Sequence, residues 1–172
     1  MRAALRLTAV TGLAAAALAT GTAVAGATTN VPAVRTLITS CTGSHITVTG
    51  PQARLLAEVN CTRRLAGARP LTTSVSLGRV AKGWTARLVA QHALSHNLAI
   101  GSALNAAAPD WTDMGETVGT STGSVDLILA AYMRSTEHRT ILLDPHLHVV
   151  GIGLARSADG QLWNTLDLVD RV

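Results

Sequence analysis

Apolar residues recur along this 172-residue chain first at helical intervals and then, near the C-terminus, at strand intervals, so helices precede a pair of strands. Pro51 suits a first helical turn, and Leu55, Leu56, Val59 and Leu65 follow on one stripe until Gly67 and Pro70 end the pattern, predicting a helix over 51–66. A second helix begins near Thr73 or Ser74 and carries Val80, Trp84, Leu88 and His92 on one face. Gly78 and Gly83 weaken it, each by about 1 kcal/mol relative to Ala. Ser124 reads as the N-cap of a third helix containing Val125, Leu127, Ile128, Leu129, Ala131 and Tyr132, and Thr136 as the cap of a short fourth helix that runs through Leu143 to Asp144-Pro145. The tail changes period: Val149 to Ala155 and Gln161 to Val169 read as strands joined by a turn at Ser157-Ala158-Asp159-Gly160. Two stretches show no clear period. Residues 26–50 read as an extended N-terminal arm, and Asn97 to Gly123, with five Gly or Pro positions, as a long functional loop.

The first 25 residues have the composition of an export signal: Arg2 and Arg6, an Ala-rich apolar run from Leu7 to Thr20, and Ala23-Val24-Ala25 before the expected cleavage. The apolar run falls short of the roughly 20 strongly hydrophobic residues of a spanning helix. No later segment is long and apolar enough to span, so the mature chain is expected outside the cytoplasm, secreted or in the cell envelope, with no transmembrane segment. Removing 25 of the 172 residues leaves 147, enough for one domain over residues 51–172 behind the arm. Of the formal charge of +4, Arg2 and Arg6 account for two, so the mature chain carries about +2, too little to argue for nucleic acid. The Arg63-Arg64 pair reads as a solvated helix face. With no Phe and one Tyr, the core is left to aliphatic residues and three Trp.

Cys41 and Cys61 are the only cysteines, and an even count in an exported chain favours a bridge; two buried thiols are the alternative. A bridge closes a loop of about 20 residues, worth roughly 3 kcal/mol in the chain-entropy model, and ties the arm to the first helix. Neither cysteine has a second Cys or His at the spacing of a zinc site.

Four strings carry the chemistry: Leu94-Ser95-His96, Gly115-Glu116-Thr117, Glu137-His138-Arg139 and Val150-Gly151-Ile152-Gly153. With the Gly67 and Pro70-Leu71 ending of the first helix, they occur in the order and rough spacing of the CAP superfamily, which includes cysteine-rich secretory, antigen 5 and pathogenesis-related proteins. The chain resembles the bacterial exported type over about residues 52–170. That resemblance implies an α+β fold, a three-layer α-β-α sandwich with a small, mostly antiparallel sheet, and a cleft that holds His96, Glu116 and His138. The second acidic position of eukaryotic relatives falls near Ser135 and is absent. Thr117 for Asn, Tyr132 for Trp, Leu94 for an aromatic and Glu137 for Gly mark the chain as divergent within the family.

Two imidazoles and a carboxylate suit a divalent metal such as zinc, with a position left for water or substrate. The same groups without metal form a cluster that titrates near neutral pH. Structural roles stand beside these: Glu116 bonding backbone amides of the long loop, and His138 bracing its short helix. Of the other histidines, His92 reads as a helix C-cap or surface residue, His146 and His148 as an exposed pair, and His45 has no evident partner. His92-x-x-x-His96 lacks the adjacent Glu of a zinc protease, since Ala93 stands there. No GxSxG elbow or phosphate-cradling glycine loop is present, and Glu137 is poorly placed to pair with Glu116 as a glycosidase dyad. The reading is an extracellular binding module for a small molecule, lipid or cell-wall component, requiring no cofactor. The alternatives are a metal-dependent hydrolase, with Glu116 as third ligand or general base, and a non-catalytic protein-interaction domain.

Overall fold

The computed structural model describes the backbone of residues 5–9 and all of residues 32–172. The proposed leader and the start of the arm therefore lie outside the described residues, apart from Leu5–Ala9. That segment is a strand, β1. The arm then forms a helix, α1 (Val34–Cys41), and one 3-10 turn at Gly43–His45. There follow α2 (Pro51–Leu65), β2 (Thr72–Thr73), α3 (Val75–Gln91), α4 (Ile100–Ala107), β3 (Met114–Ser121), α5 (Val125–Arg134), α6 (Thr136–Leu143), β4 (Val149–Arg156) and β5 (Leu162–Val169).

The strands form one sheet in the order β1-β3-β5-β4-β2. β3 and β4 both run antiparallel to the central β5, while β1 and β2 add parallel at the two edges. Because side chains alternate along a strand, every residue of β3 and β5 belongs to one of two layers. Leu162, Leu166 and Leu168 meet α1, α2, α5 and α6 through Leu37, Leu55, Val59, Leu129, Tyr132 and Leu142. On the opposite face, Met114 and Val169 pack with Leu77, Ile100 and Leu104, and Val118 and Trp163 pack with Leu88. The result is the expected α+β sandwich of helices, sheet and helices.

The closest contact between layers is backbone on backbone. A Cβ at Gly151 would stand 2.2 Å from the carbonyl carbon of Leu77, and one at Gly153 would stand 2.3 Å from the Ala81 carbonyl oxygen and from Thr85 Oγ1. The Gly-x-Gly of β4 is thus the floor on which α3 rests. β3 uses glycine in the same way on the other face, where Cβ atoms at Gly115 and Gly119 would meet Ile141 Cγ2 at 2.6 Å and the Tyr132 hydroxyl at 2.9 Å.

Several expectations are corrected. The arm is not extended throughout, because Val34, Leu37, Ile38 and Cys41 form a helical stripe that buries Leu37 and Cys41. A disulfide from Cys41 to Cys61, with Cα atoms 5.5 Å apart, joins α1 to α2. The region 97–123 is not one long loop, since it contains α4 and β3. The cap of α6 is Ser135, whose hydroxyl accepts from the His138 amide, in place of Thr136. Arg63 is not solvated. It is fully buried and donates to the carbonyls of Arg69 (2.7 Å), Leu142 (2.6 Å), Asp144 (3.0 Å) and Leu147 (2.8 Å), pinning α2 to the end of α6 and the start of β4. Burial lowers its pKa, an effect that the charge of Asp144 opposes.

Arg54 ties α2 to α5. Its Nε donates to Glu58 Oε1 (2.9 Å) and Asp126 Oδ1 (2.8 Å), and Nη2 to the Gly43 carbonyl (2.8 Å). Glu58 is completely buried. Burial, reinforced by the adjacent Asp126, raises its pKa to about 8 against the pull of Arg54.

Two outcomes follow for equilibrium urea unfolding. Gly151→Ala drives a methyl into the α3 backbone and is expected to cost about 3 kcal/mol, whereas Gly83→Ala, exposed and with nothing near its Cβ, should add about 0.5 to 1 kcal/mol. A carboxyl whose folded pKa lies above its unfolded value favours the fold at low pH and loses that contribution as pH rises. Glu58 therefore makes stability fall between about pH 4.5 and about 8. Glu58→Gln should flatten this part of the profile by up to about 1.4 kcal/mol per pH unit.

Candidate functional site

The residues expected to share a cleft divide between the two faces of the sheet. His92 ends α3 in the left-handed conformation, at φ 51°, and the segment beyond it is held by the Trp84 indole, whose Nε1 donates to the Ser95 carbonyl at 2.9 Å. This places His96 and Asn97 over β3. His96 Nδ1 donates to Glu116 Oε1 at 2.6 Å, and the Asn97 amide donates to the same oxygen at 3.0 Å. The Asn97 side chain then accepts from the Ala99 amide at 3.1 Å and its carbonyl from the Ile100 amide at 2.9 Å, which starts α4. Glu116, fully buried, thus anchors the α3–α4 connection through one carboxylate oxygen. Its Oε2 and His96 Nε2 are buried without hydrogen-bond partners.

Glu116 has a neighbour the sequence reading overlooked. Asp167 lies directly across from it in the β3–β5 register, on the same face, and is fully buried with neither oxygen hydrogen-bonded. Burial, and then the charge of Glu116, raises the Asp167 pKa well above the usual carboxylate range. The only sequence signal is an acidic residue on a strand otherwise built of Leu, Trp, Val, Thr and Asn.

His138 stands on the other side of the sheet. Gly115, Thr117 and Gly119 face α5 and α6, as the near contacts of Ile141 and Tyr132 with the two glycines establish, so the intervening Glu116 points away from them. His138 lies in the first turn of α6, completely buried, with its ring 4.9 Å from that of Tyr132 and Nδ1 3.0 Å from Ser135 Oγ. Glu137 beside it is exposed and accepts from the Ser135 hydroxyl at 2.9 Å. Tyr132 in turn donates to Asn164 Oδ1 at 2.5 Å, while Asn164 Nδ2 donates to the Gly119 carbonyl at 2.9 Å, which fixes the orientation of the Asn164 amide. Burial raises the Tyr132 pKa.

A cavity of about 340 Å³ opens at this place, between α5 and the far end of β3. Leu127, Ile128 and Ala131 form its apolar wall, Gly119 to Thr122 its strand side, and Tyr132, His138 and Gln161 its polar surface. Of the expected three, His96 and Glu116 are brought together and His138 is brought to this cavity.

The donors as placed do not fit the zinc site described above. The sheet stands between His138 and the His96–Glu116 pair, and among the described residues no group of three or more His, Cys, Asp or Glu could hold a metal ion. His146 is exposed and His148 partly so, on the surface near Asp113 and Asp170.

Comparison with known proteins agrees with the fold. Residues 56–167 match the model of the cysteine-rich secretory protein family, CAP. Among solved structures, an extracellular protein containing an SCP domain from Bacillus anthracis superposes with a TM-score of 0.62 at 18% identity, over 71% of this chain and 41% of that one. A Borrelia burgdorferi outer surface protein gives 0.62 at 16% identity, over 69% of this chain and 90% of its own. A Staphylococcus aureus cysteine-rich secretory protein gives 0.60 at 19%, over 70% of this chain and 39% of its own. The chain thus spans about two-fifths of the Bacillus and Staphylococcus proteins. No curated sequence matches. With well over half its length matched by the family model and its sheet order, helical layers and Gly-x-Gly floor in place, the chain belongs to the cysteine-rich secretory protein family.

Proposed function

We propose that the chain is an extracellular binding module whose ligand, a small molecule, lipid or cell-wall component, is held in the cavity between α5 and β3. The observation that carries this reading is the cavity itself. It pairs an apolar wall with a few fixed polar groups, the composition of a ligand site, and its volume of about 340 Å³ lies within the range of such sites. Its polar surface is rigid: His138 is tied to the cap of α6, and Tyr132 is locked to Asn164. A ligand with an apolar body and one hydrogen-bonding end would direct that end toward His138 and Gln161.

An extracellular setting is supported by the disulfide, which suits an oxidising compartment, and by the signal-like composition of residues 1–25. The three similar structures are described as extracellular, outer-surface and secretory proteins. Among the described residues no helix is long and apolar enough to cross a membrane. A metal-dependent hydrolase built on His96, Glu116 and His138 lacks comparable support, because its three groups lie on two faces of the sheet.

Titration with a fluorescent fatty acid tests the proposal. Ala131 is exposed on α5 and lines the cavity, so Ala131→Trp fills the space without entering the core. Affinity should fall at least tenfold while the far-ultraviolet circular dichroism stays unchanged. Equal affinity in the variant, or no binding to the wild type together with an empty organic extract of the purified protein, would show the reading to be wrong.

A further inference from the structure

We propose that the outer edge of β3 receives an extended polypeptide segment of a partner as a parallel strand, and that the α5–β3 cavity takes a side chain from that segment. This rests on the reading of the cavity as the binding site and narrows its ligand to a peptide.

β3 is hydrogen-bonded to β5 along its whole length, and on its other side, among the described residues, it pairs with Leu5–Ala9 in the register Leu5↔Met114 to Ala9↔Val118. Those five residues fall inside the segment read as a leader. Once a leader is removed, the backbone N–H and C=O groups of β3 that face outward lose their partners. Met114–Ser121 contains no Pro and no Lys, and its one charged side chain, Glu116, is buried and tied to His96. An edge of this kind is a template for strand addition, in which the main chain supplies affinity and pockets for alternate side chains supply specificity.

The direction of the seat joins it to the cavity. A parallel strand that reaches Val118 at its fifth residue comes level with Gly119, Thr120 and Ser121 over its next three, and these residues line the cavity. Side chains of the added strand alternate between faces, so one of them turns toward α5 and enters between Leu127 and Tyr132. The apolar wall at Leu127, Ile128 and Ala131 suits an aliphatic or aromatic residue there. The occupant is therefore an extended, apolar peptide running parallel to β3, for which Leu-Arg-Leu-Thr-Ala in this chain is the template.

Hydrogen exchange on the full chain tests the inference. In the Leu7→Pro variant, which cannot complete the edge ladder, amides of residues 114–118 should exchange at least tenfold faster than in the wild type. A synthetic peptide of residues 3–12 added to that variant should restore protection, and the same peptide with Pro for Leu7 should not. Equal exchange in the variant and the wild type overturns the proposal, as does failure of the peptide to protect the edge at millimolar concentration. A dimer detected by sedimentation with no response to peptide assigns the edge to a second copy and also overturns it. If the fatty acid still binds while the peptide has no effect, the cavity remains a site and the peptide inference alone fails. Loss of both removes both.

Discussion

α3 lies on β4 with nothing between them but the absence of two side chains. Gly151 and Gly153 let the helix backbone descend until the Leu77 and Ala81 carbonyls touch the strand. That descent sets the height of the end of α3, and with it the reach of the segment that follows. Only at this height do His96 and the Asn97 amide come within hydrogen-bond distance of Glu116. A layer held off by the width of a methyl group would leave a buried carboxylate without donors, a far larger loss than the contact itself. The Gly-x-Gly pattern, which invites a functional interpretation, is first a packing requirement.

The sheet also acts as a partition. In a strand, one residue separates the two faces, and the sequence Gly115-Glu116-Thr117 contributes to both: its carboxylate meets His96 under α3, and its flanking residues turn toward α5 and α6. Proximity in a motif therefore says little about which layer a side chain joins. What results is two polar sites back to back. One, with Glu116, Asp167 and His96, is closed and serves to anchor the α3–α4 connection. The other, with Tyr132, Asn164 and His138, borders a cavity.

Much of the fold was legible because it depends on local signals. Pro51 and Ser74 mark helix starts, Asp144-Pro145 marks a stop, and the alternation in Val149–Val169 announces the hairpin. The misread parts owe their structure to distant partners. α1 is eight residues long and rich in Thr and Ser, and it is held by the disulfide and by the burial of Leu37. β3 looks like loop because its glycines are demanded by Ile141 and Tyr132, which come from elements later in the chain. Arg63 reads as a surface residue until four carbonyls from three other segments converge on it. At the candidate site the residue types were visible, but the face to which each belongs depended on the register of β3 against β5, which no spacing along the chain encodes.

The Cys41–Cys61 bridge encloses the turn from Thr42 to Gly50, one of the more exposed stretches of the chain. A protease that nicks this turn does not free the preceding helix, since the bridge keeps the two fragments in one covalent molecule with Leu37 still seated in its layer. The cross-link thus converts an exposed surface turn into a place where the chain can be cut and still remain assembled.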